Sequence, residues 1–292
     1  RSCYQITKMS FSMSRYCAND VPSMVSTSFH IRETQALLSE CYIDDSVVKS
    51  LCVNGELKEA VLALDEMEHL GVRVSVETYL ILLQLCVNLQ SLNCARQVHT
   101  YIVKNGLLPN TTLENLLVEI YARCENMDEA CYVFQAIVER DVVSWNVIIG
   151  GFAQQRNSEK VFIYFSRMML ETQLTPNTFT FLNVLKLCAI SQNMTNGAVV
   201  HSYIVETGEE KDSDEYVANG LIDMYVQCGS MSDAHKVFCT MCERKRNLVS
   251  WNMLICGYAK GGCNAPALEL FWTMVEEGKR PNRITFLGAL KA

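Results

Sequence analysis

From residue 41 to residue 292 the apolar positions fall into amphipathic runs of about 12 to 14 residues with the i, i+3, i+4, i+7 spacing of a helix. The runs come in pairs, each joined by a short turn of Gly, Asn or Ser, so the pattern predicts helical hairpins. In residues 248–282, Trp251, Leu254, Ile255 and Tyr258 form one predicted stripe, and Leu268, Phe271 and Met274 form the second. Pro109, Pro176 and Pro281 fall between pairs, where a residue that cannot continue a helix belongs in a loop. Pro266 stands near the start of a second helix, where its missing donor costs little. The Gly-Gly-Cys at 261–263 reads as a turn between helices and lacks any phosphate-loop continuation.

The hairpins repeat with a longer period. DVVSWNVIIGGF (141–152) returns as NLVSWNMLICGY 106 residues later, and NLLVEIYARCENMDEACYVF (115–134) returns as NGLIDMYVQCGSMSDAHKVF 104 later. ETYLILLQLCVNLQSLNCARQVHTYIVKNG (77–106) returns as FTFLNVLKLCAISQNMTNGAVVHSYIVETG after 102, and KEAVLALDEMEHLG (58–71) matches APALELFWTMVEEG two periods on. A super-period slightly above 100 thus contains three different units. One hairpin of about 35 residues cannot bury both its faces, so neighbouring hairpins must supply the rest of the core, and a solenoid is expected.

Composition narrows the function. With 292 residues and 49% of them apolar, the chain can bury a substantial core, which excludes disorder over most of its length. Its formal charge is −7, so an RNA held mainly by bulk positive charge is excluded, and any contact with RNA must come from local chemistry and show a shallow salt dependence. The 14 cysteines are diluted in a large chain without a signal peptide and read as reduced thiols. The longest uncharged stretches, such as 142–155, are too polar and too short to span a bilayer, so no membrane partner is expected. The chain does not begin with Met, and it stops inside an expected helix, so a fragment or processed form of a longer protein is expected. Residues 1–30 are rich in Ser and Met with few acids, which fits the tail of an organellar transit peptide and a loose leader equally.

This organisation resembles the plant pentatricopeptide repeat (PPR) family, specifically the PLS subfamily in which P, L and S motifs rotate. WN followed by GY or GF, then LF...M...G..PN, is similar to a P motif in 248–282. VLKLC...VHSYIVETG is similar to an L motif, and N.LIDMY..CG...A..VF to an S motif. The motifs are then 41–75 (P), 76–110 (L), 111–141 (S), 142–177 (P), 178–214 (L), 215–247 (S), 248–282 (P) and 283–292, the start of another L, after a leader over 1–40 that is loosely structured or partly helical. The resemblance implies an all-α, right-handed α-solenoid of stacked helical hairpins. It also implies that the fifth and last residues of each motif together choose one base of a single-stranded RNA, while the second residues of successive motifs flank that base.

On this numbering the fifth residues are Asp45, Leu80, Asn115, Asn146, Leu182, Asn219 and Asn252, and the last residues Ser75, Asn110, Asp141, Asn177, Asp214, Asn247 and Asn282. Asn at the fifth place resembles the family's pyrimidine setting. A carboxylate only accepts hydrogen bonds and uracil offers a donor at N3, whereas an amide also donates and cytosine offers an acceptor there. Asn115 with Asp141 is therefore expected to favour U, and Asn146 with Asn177, Asn219 with Asn247, and Asn252 with Asn282 to favour C with U tolerated. Leu80 and Leu182 cannot hydrogen-bond, so the L motifs discriminate poorly, and Asp45 with Ser75 is assigned no base. Motifs 111–282 then prefer U-Y-N-Y-Y, with Y a pyrimidine and N unread. The flanking residues are Thr112, Val143, Phe179, Tyr216, Val249 and Ile284, whose apolar surface can pack on bases at up to about 1–3 kcal/mol for each aromatic. Arg123 and Lys260, at equivalent places late in first helices, are the phosphate candidates, with Gln154 and Gln227 at that place elsewhere.

Structural readings stand beside these. Each fifth-place Asn is also explicable as a polar residue bonded to a neighbouring turn, although four recurrences favour recognition. Trp145 and Trp251 fall on an apolar stripe and read as core. Cys86 and Cys188, Cys124 and Cys228, and His99 and His201 recur as equivalent packing positions. Cys239-Thr-Met-Cys242 is a lone CxxC, short of the further ligands zinc requires. No H-x-E segment and no nucleophile, base and oxyanion constellation exist, so the chain is expected to be neither an enzyme nor a metal or cofactor binder. The resemblance implies a specificity factor for C-to-U editing or other transcript processing in a plant organelle, the mitochondrion favoured over the chloroplast, with editing or ribonucleoprotein partners. A helical scaffold subunit of a large organellar complex is the alternative, and a tetratricopeptide-like peptide adaptor a weaker third.

Overall fold

In the computed structural model, the described residues are 44–171, 174–206 and 215–292. The leader over 1–40 and Asp214 lie outside them. Among the described residues the structure is entirely helical. Seven hairpins follow in order: α1 Ser46–Val53 with α2 Leu57–His69; α3 Val76–Leu89 with α4 Leu92–Lys104; α5 Thr111–Arg123 with α6 Met127–Ala136; α7 Val142–Gln154 with α8 Ser158–Glu171; α9 Thr178–Ser191 with α10 Met194–Glu206; α11 Glu215–Gln227 with α12 Met231–Thr240; and α13 Leu248–Lys260 with α14 Asn264–Glu276. A last first-type helix, α15, runs Arg283–Lys291.

Each first helix packs on its own second helix and on the first helices before and after it, so α1, α3, α5, α7, α9, α11, α13 and α15 form one continuous layer. Each second helix wedges between its own first helix and the next one. The result is an α-solenoid with an unbroken apolar core running along the stack.

The wedge explains a departure from the expected stripes. Trp251, Leu254 and Ile255 are buried on α13 as the pattern predicts, but α14 buries Ala267, Leu270 and Met274, and Leu268 remains 39% exposed. Phe271 is only partly buried and packs on Phe286 of α15, with ring centroids 5.8 Å apart. A helix lodged between two neighbours buries two flanks, and one stripe does not describe it. Trp145 and Trp251 are wholly buried and set edge-on against Phe134 and Phe238, at 5.0 and 4.7 Å. Arg140 and Arg246 lie over the same Phe rings at 4.9 and 4.8 Å, and each donates to the carbonyl of that Phe near the end of its helix.

Candidate nucleic-acid interface

The residue just before a first helix has a local duty. Four backbone N–H groups at a helix start lack partners, and an Asn, Asp or Ser side-chain oxygen at the N-cap satisfies one or two of them. Ser75, Asn110, Asp141, Asn177, Asn247 and Asn282 all hold this position. Asp141 Oδ1 accepts from Ser144 N at 2.7 Å, Asn177 Oδ1 from Thr180 N at 3.1 Å, Asn247 Oδ1 from Ser250 N at 3.1 Å and Asn282 Oδ1 from Thr285 N at 3.0 Å. Capping alone is thus one sufficient reason for Asn or Asp at the end of a motif.

The same oxygens receive a second group, from the preceding first helix. Asn115 Nδ2 donates to Asp141 Oδ1 at 3.2 Å, Asn146 Nδ2 to Asn177 Oδ1 at 3.1 Å, Asn219 Nδ2 to Asn247 Oδ1 at 3.5 Å and Asn252 Nδ2 to Asn282 Oδ1 at 3.3 Å. All four fifth-place amides therefore touch the last residue of their own unit. Asp45 likewise meets Ser75, accepting from its hydroxyl. The fifth-place Asn residues are 7–9% exposed, tucked at the base of the layer rather than standing free. The capping oxygens are committed in every pair, and among the described residues the second terminal atoms, Oδ2 of Asp141 and Nδ2 of Asn177, Asn247 and Asn282, make no side-chain hydrogen bond. Burial opposes ionisation of Asp141, but hydrogen bonds from Ser144, Asn115 and Val143 outweigh it and hold its carboxyl below the usual range, so it is a carboxylate at neutral pH.

The second-place residues behave differently. Val143, Phe179, Tyr216, Val249 and Ile284 are each 50–59% exposed, apolar side chains left uncovered at one equivalent position, and Thr112 is exposed with them. Leu80 and Leu182 are half-buried, Leu80 packing against the core. Arg123 is exposed but bound to Glu119 on its own helix at 2.8 Å, so its charge is locally cancelled. Lys260 is exposed and, among the described residues, forms no ion pair. Lys186 is a cation that sequence reasoning missed; it is exposed on α9, four residues beyond Leu182 and therefore on the same helix face. Thr78, Thr180 and Thr285 were also missed. Their hydroxyls bond the fifth-place side chains Asp45, Asn146 and Asn252, and the sequence signal was a Thr three residues after each N-cap, as in a capping box.

The remaining polar groups serve packing. His99, His201 and His235 each place Nδ1 on a tyrosine hydroxyl of the next first helix, at 2.9, 2.7 and 2.9 Å from Tyr121, Tyr225 and Tyr258. Burial pushes the Cys86 and Cys188 thiols up to about 12 and about 11, out of the reactive range. Cys239 and Cys242 are exposed, and no group of three or more His, Cys, Asp or Glu among the described residues is placed to hold a metal ion. No helix among them is long and apolar enough to cross a membrane.

A layered stack of unequal helical hairpins, with capping pairs along one edge of its first helices, defines a helical repeat protein. The sequence profile of the pentatricopeptide repeat domain matches residues 62–124, and that of the PPR repeat matches 45–72, 115–142, 143–171, 216–245 and 249–278. The chain belongs to the pentatricopeptide repeat family. A chloroplastic pentatricopeptide repeat-containing protein of Arabidopsis thaliana is 36% identical over 274 residues, covering 93% of this chain and 32% of the relative. A mitochondrial one from the same plant is 34% identical, covering 84% and 38%. The chain thus spans about a third of the length of these relatives. Among solved structures, the pentatricopeptide repeat protein PPR10 in complex with an 18-nt psaJ RNA element superposes with a TM-score of 0.63 over 98% of this chain and 44% of that one, at 19% identity. PPR10 from maize gives a TM-score of 0.51 over 85% and 41%, at 20% identity. At such identity the likeness is one of fold.

Proposed function

We propose that this chain is the RNA-reading array of a plant organellar PPR protein of the PLS subfamily, binding single-stranded RNA at one base per motif and serving as a specificity factor for C-to-U editing or other transcript processing. The observation that carries the reading is the coupling of all four fifth-place amides to the last residues of their own motifs, beside a row of uncovered apolar second-place side chains. The relatives' chloroplastic and mitochondrial names and the RNA in the PPR10 complex support it.

The chemistry follows from the caps. An amide that caps must turn its oxygen to the helix N–H groups, so its nitrogen is the end left over. Asn177, Asn247 and Asn282 offer a donor, which suits cytosine N3, and Asp141 offers an ionised acceptor, which suits uracil N3–H. Base stacking on Phe179 and Tyr216, with weaker packing on Val143, Val249 and Ile284, supplies affinity without a basic groove, and Lys186 and Lys260 are the phosphate contacts. The triplet motif boundaries and the absence of catalysis belong to this reading.

Fluorescence anisotropy with a U-Y-N-Y-Y oligonucleotide and a purine-substituted one tests it. Clear preference for the pyrimidine strand is expected; equal or undetectable binding would instead favour the scaffold role.

A further inference from the structure

The third residue of each following motif recurs with the triplet. After 41–75, 142–177 and 248–282 it is Thr78, Thr180 and Thr285; after 111–141 and 215–247 it is Ser144 and Ser250; after 76–110 and 178–214 it is Leu113 and Val217. The threonines are wholly buried and reach back to the preceding first helix. Thr78 Oγ1 donates to Asp45 Oδ2 at 2.6 Å, Thr180 Oγ1 to Asn146 Oδ1 at 2.5 Å and Thr285 Oγ1 to Asn252 Oδ1 at 2.6 Å. Thr180 and Thr285 Oγ1 also lie 3.1 and 3.0 Å from the cap oxygens of Asn177 and Asn282, but their single proton goes to the shorter contact, whereas the serines reach only their own caps, Ser144 Oγ to Asp141 Oδ1 at 2.9 Å and Ser250 Oγ to the Asn247 carbonyl at 2.8 Å. In consequence Oδ1 of Asn115 and of Asn219 is buried with no hydrogen-bond partner among the described residues.

We propose that Thr180 and Thr285 are specificity-setting residues that act through Asn146 and Asn252, by holding each reading amide at both ends. The proposal rests on the RNA reading above. With its oxygen on the threonine and one N–H on the last residue, the amide of Asn146 or Asn252 would, if turned over, set its oxygen against the capping Oδ1 and give up the threonine proton, so only its remaining N–H is free for a base. Together with Nδ2 of Asn177 or Asn282 this makes two fixed donors, matched to the adjacent N3 and O2 acceptors of cytosine and mismatched to the N3–H of uracil. Asn115 and Asn219 are held at one end, by bonds of 3.2 and 3.5 Å, and their orphaned oxygens gain by turning to meet a donor. The P motifs therefore read stringently and the S motifs loosely, although Asn219 with Asn247 carries the same pair of residues as Asn146 with Asn177.

The test compares oligonucleotides differing by C or U at a single nucleotide, with wild type, Thr180→Val, Thr285→Val and Ser250→Thr. In wild type the C-to-U affinity ratio is expected to be larger opposite Asn146 and Asn252 than opposite Asn219. Each valine variant is expected to lower the ratio about 2–10-fold at its own nucleotide only, the worth of one net hydrogen bond, and Ser250→Thr to raise it opposite Asn219. Thermal unfolding of each variant separates capping from reading. Unchanged ratios in both valine variants, with only a lower Tm or uniformly weaker binding, would overturn the proposal and leave the RNA reading standing. A wild type indifferent to C or U at every nucleotide would overturn both.

Discussion

A side chain with two terminal atoms can serve a helix with one and leave the other uncommitted, and that division is the central residue-scale feature of this chain. Oδ1 of Asp141, Asn177, Asn247 and Asn282 is committed to the cap and to the fifth-place amide. What distinguishes Asp from Asn at this place is therefore only the second atom, so the exchange alters recognition with little effect on stability, both being good caps. The recurrence of Asn at the fifth place was legible in the sequence. Its sealing by threonine was not, because a Thr at the third helical position is fully explained by the capping box it also forms with Asn177 and Asn282. Among the histidines, burial lowers the pKa of His99, with Glu129 opposing weakly. The unfolded chain therefore binds more protons than the native one between that depressed value and about 6.5, so stability rises with pH across this window and is lost on acidification. In urea melts at pH 7.5 and pH 5, wild type is expected to lose more stability than His99→Gln; equal losses would show that the His99–Tyr121 pair is not a source of the pH dependence.

At the scale of helices, spacing between neighbours is set by where a side chain is missing. A Cβ on Gly151 would lie 2.7 Å from Ala122 Cβ of α5, and one on the equivalent Gly257 would lie 2.9 Å from Met231 Cε, whereas a Cβ on Gly150 meets nothing within 4 Å. Gly151→Ala must push α7 off α5 and is expected to cost about 1–3 kcal/mol. Gly150→Ala, one residue away, is expected to gain up to about 1 kcal/mol from helix propensity. Chemical denaturation of the two variants checks the contrast, and equal effects would contradict the close approach of these helices. First helices were read well from their stripes because they bury one broad face in a continuous layer. The second-helix stripe through Leu268 was misplaced because a wedged helix answers to two neighbours, and the apolar pattern does not say which flank each one covers. The ion pair of Arg123 with Glu119 was visible as an i, i+4 spacing, and Lys186, with no acid three or four residues away on its helix, forms no ion pair among the described residues.

Along the chain the repeat is a three-unit one, written in the hydrogen bonds as well as the sequence: the residue three places into successive units runs Thr78, Leu113, Ser144, Thr180, Val217, Ser250, Thr285. On the proposed reading, an acidic solenoid of this kind would bind RNA through stacking and edge recognition rather than bulk charge, which would make the identity of single cap residues decisive. The most direct measurement is the base preference opposite the Asn115–Asp141 pair in wild type and in Asp141→Asn, using oligonucleotides with U or C at that one nucleotide. The account predicts a shift from U toward C there, no shift at neighbouring nucleotides and little change in Tm. The same profile in both proteins would contradict it.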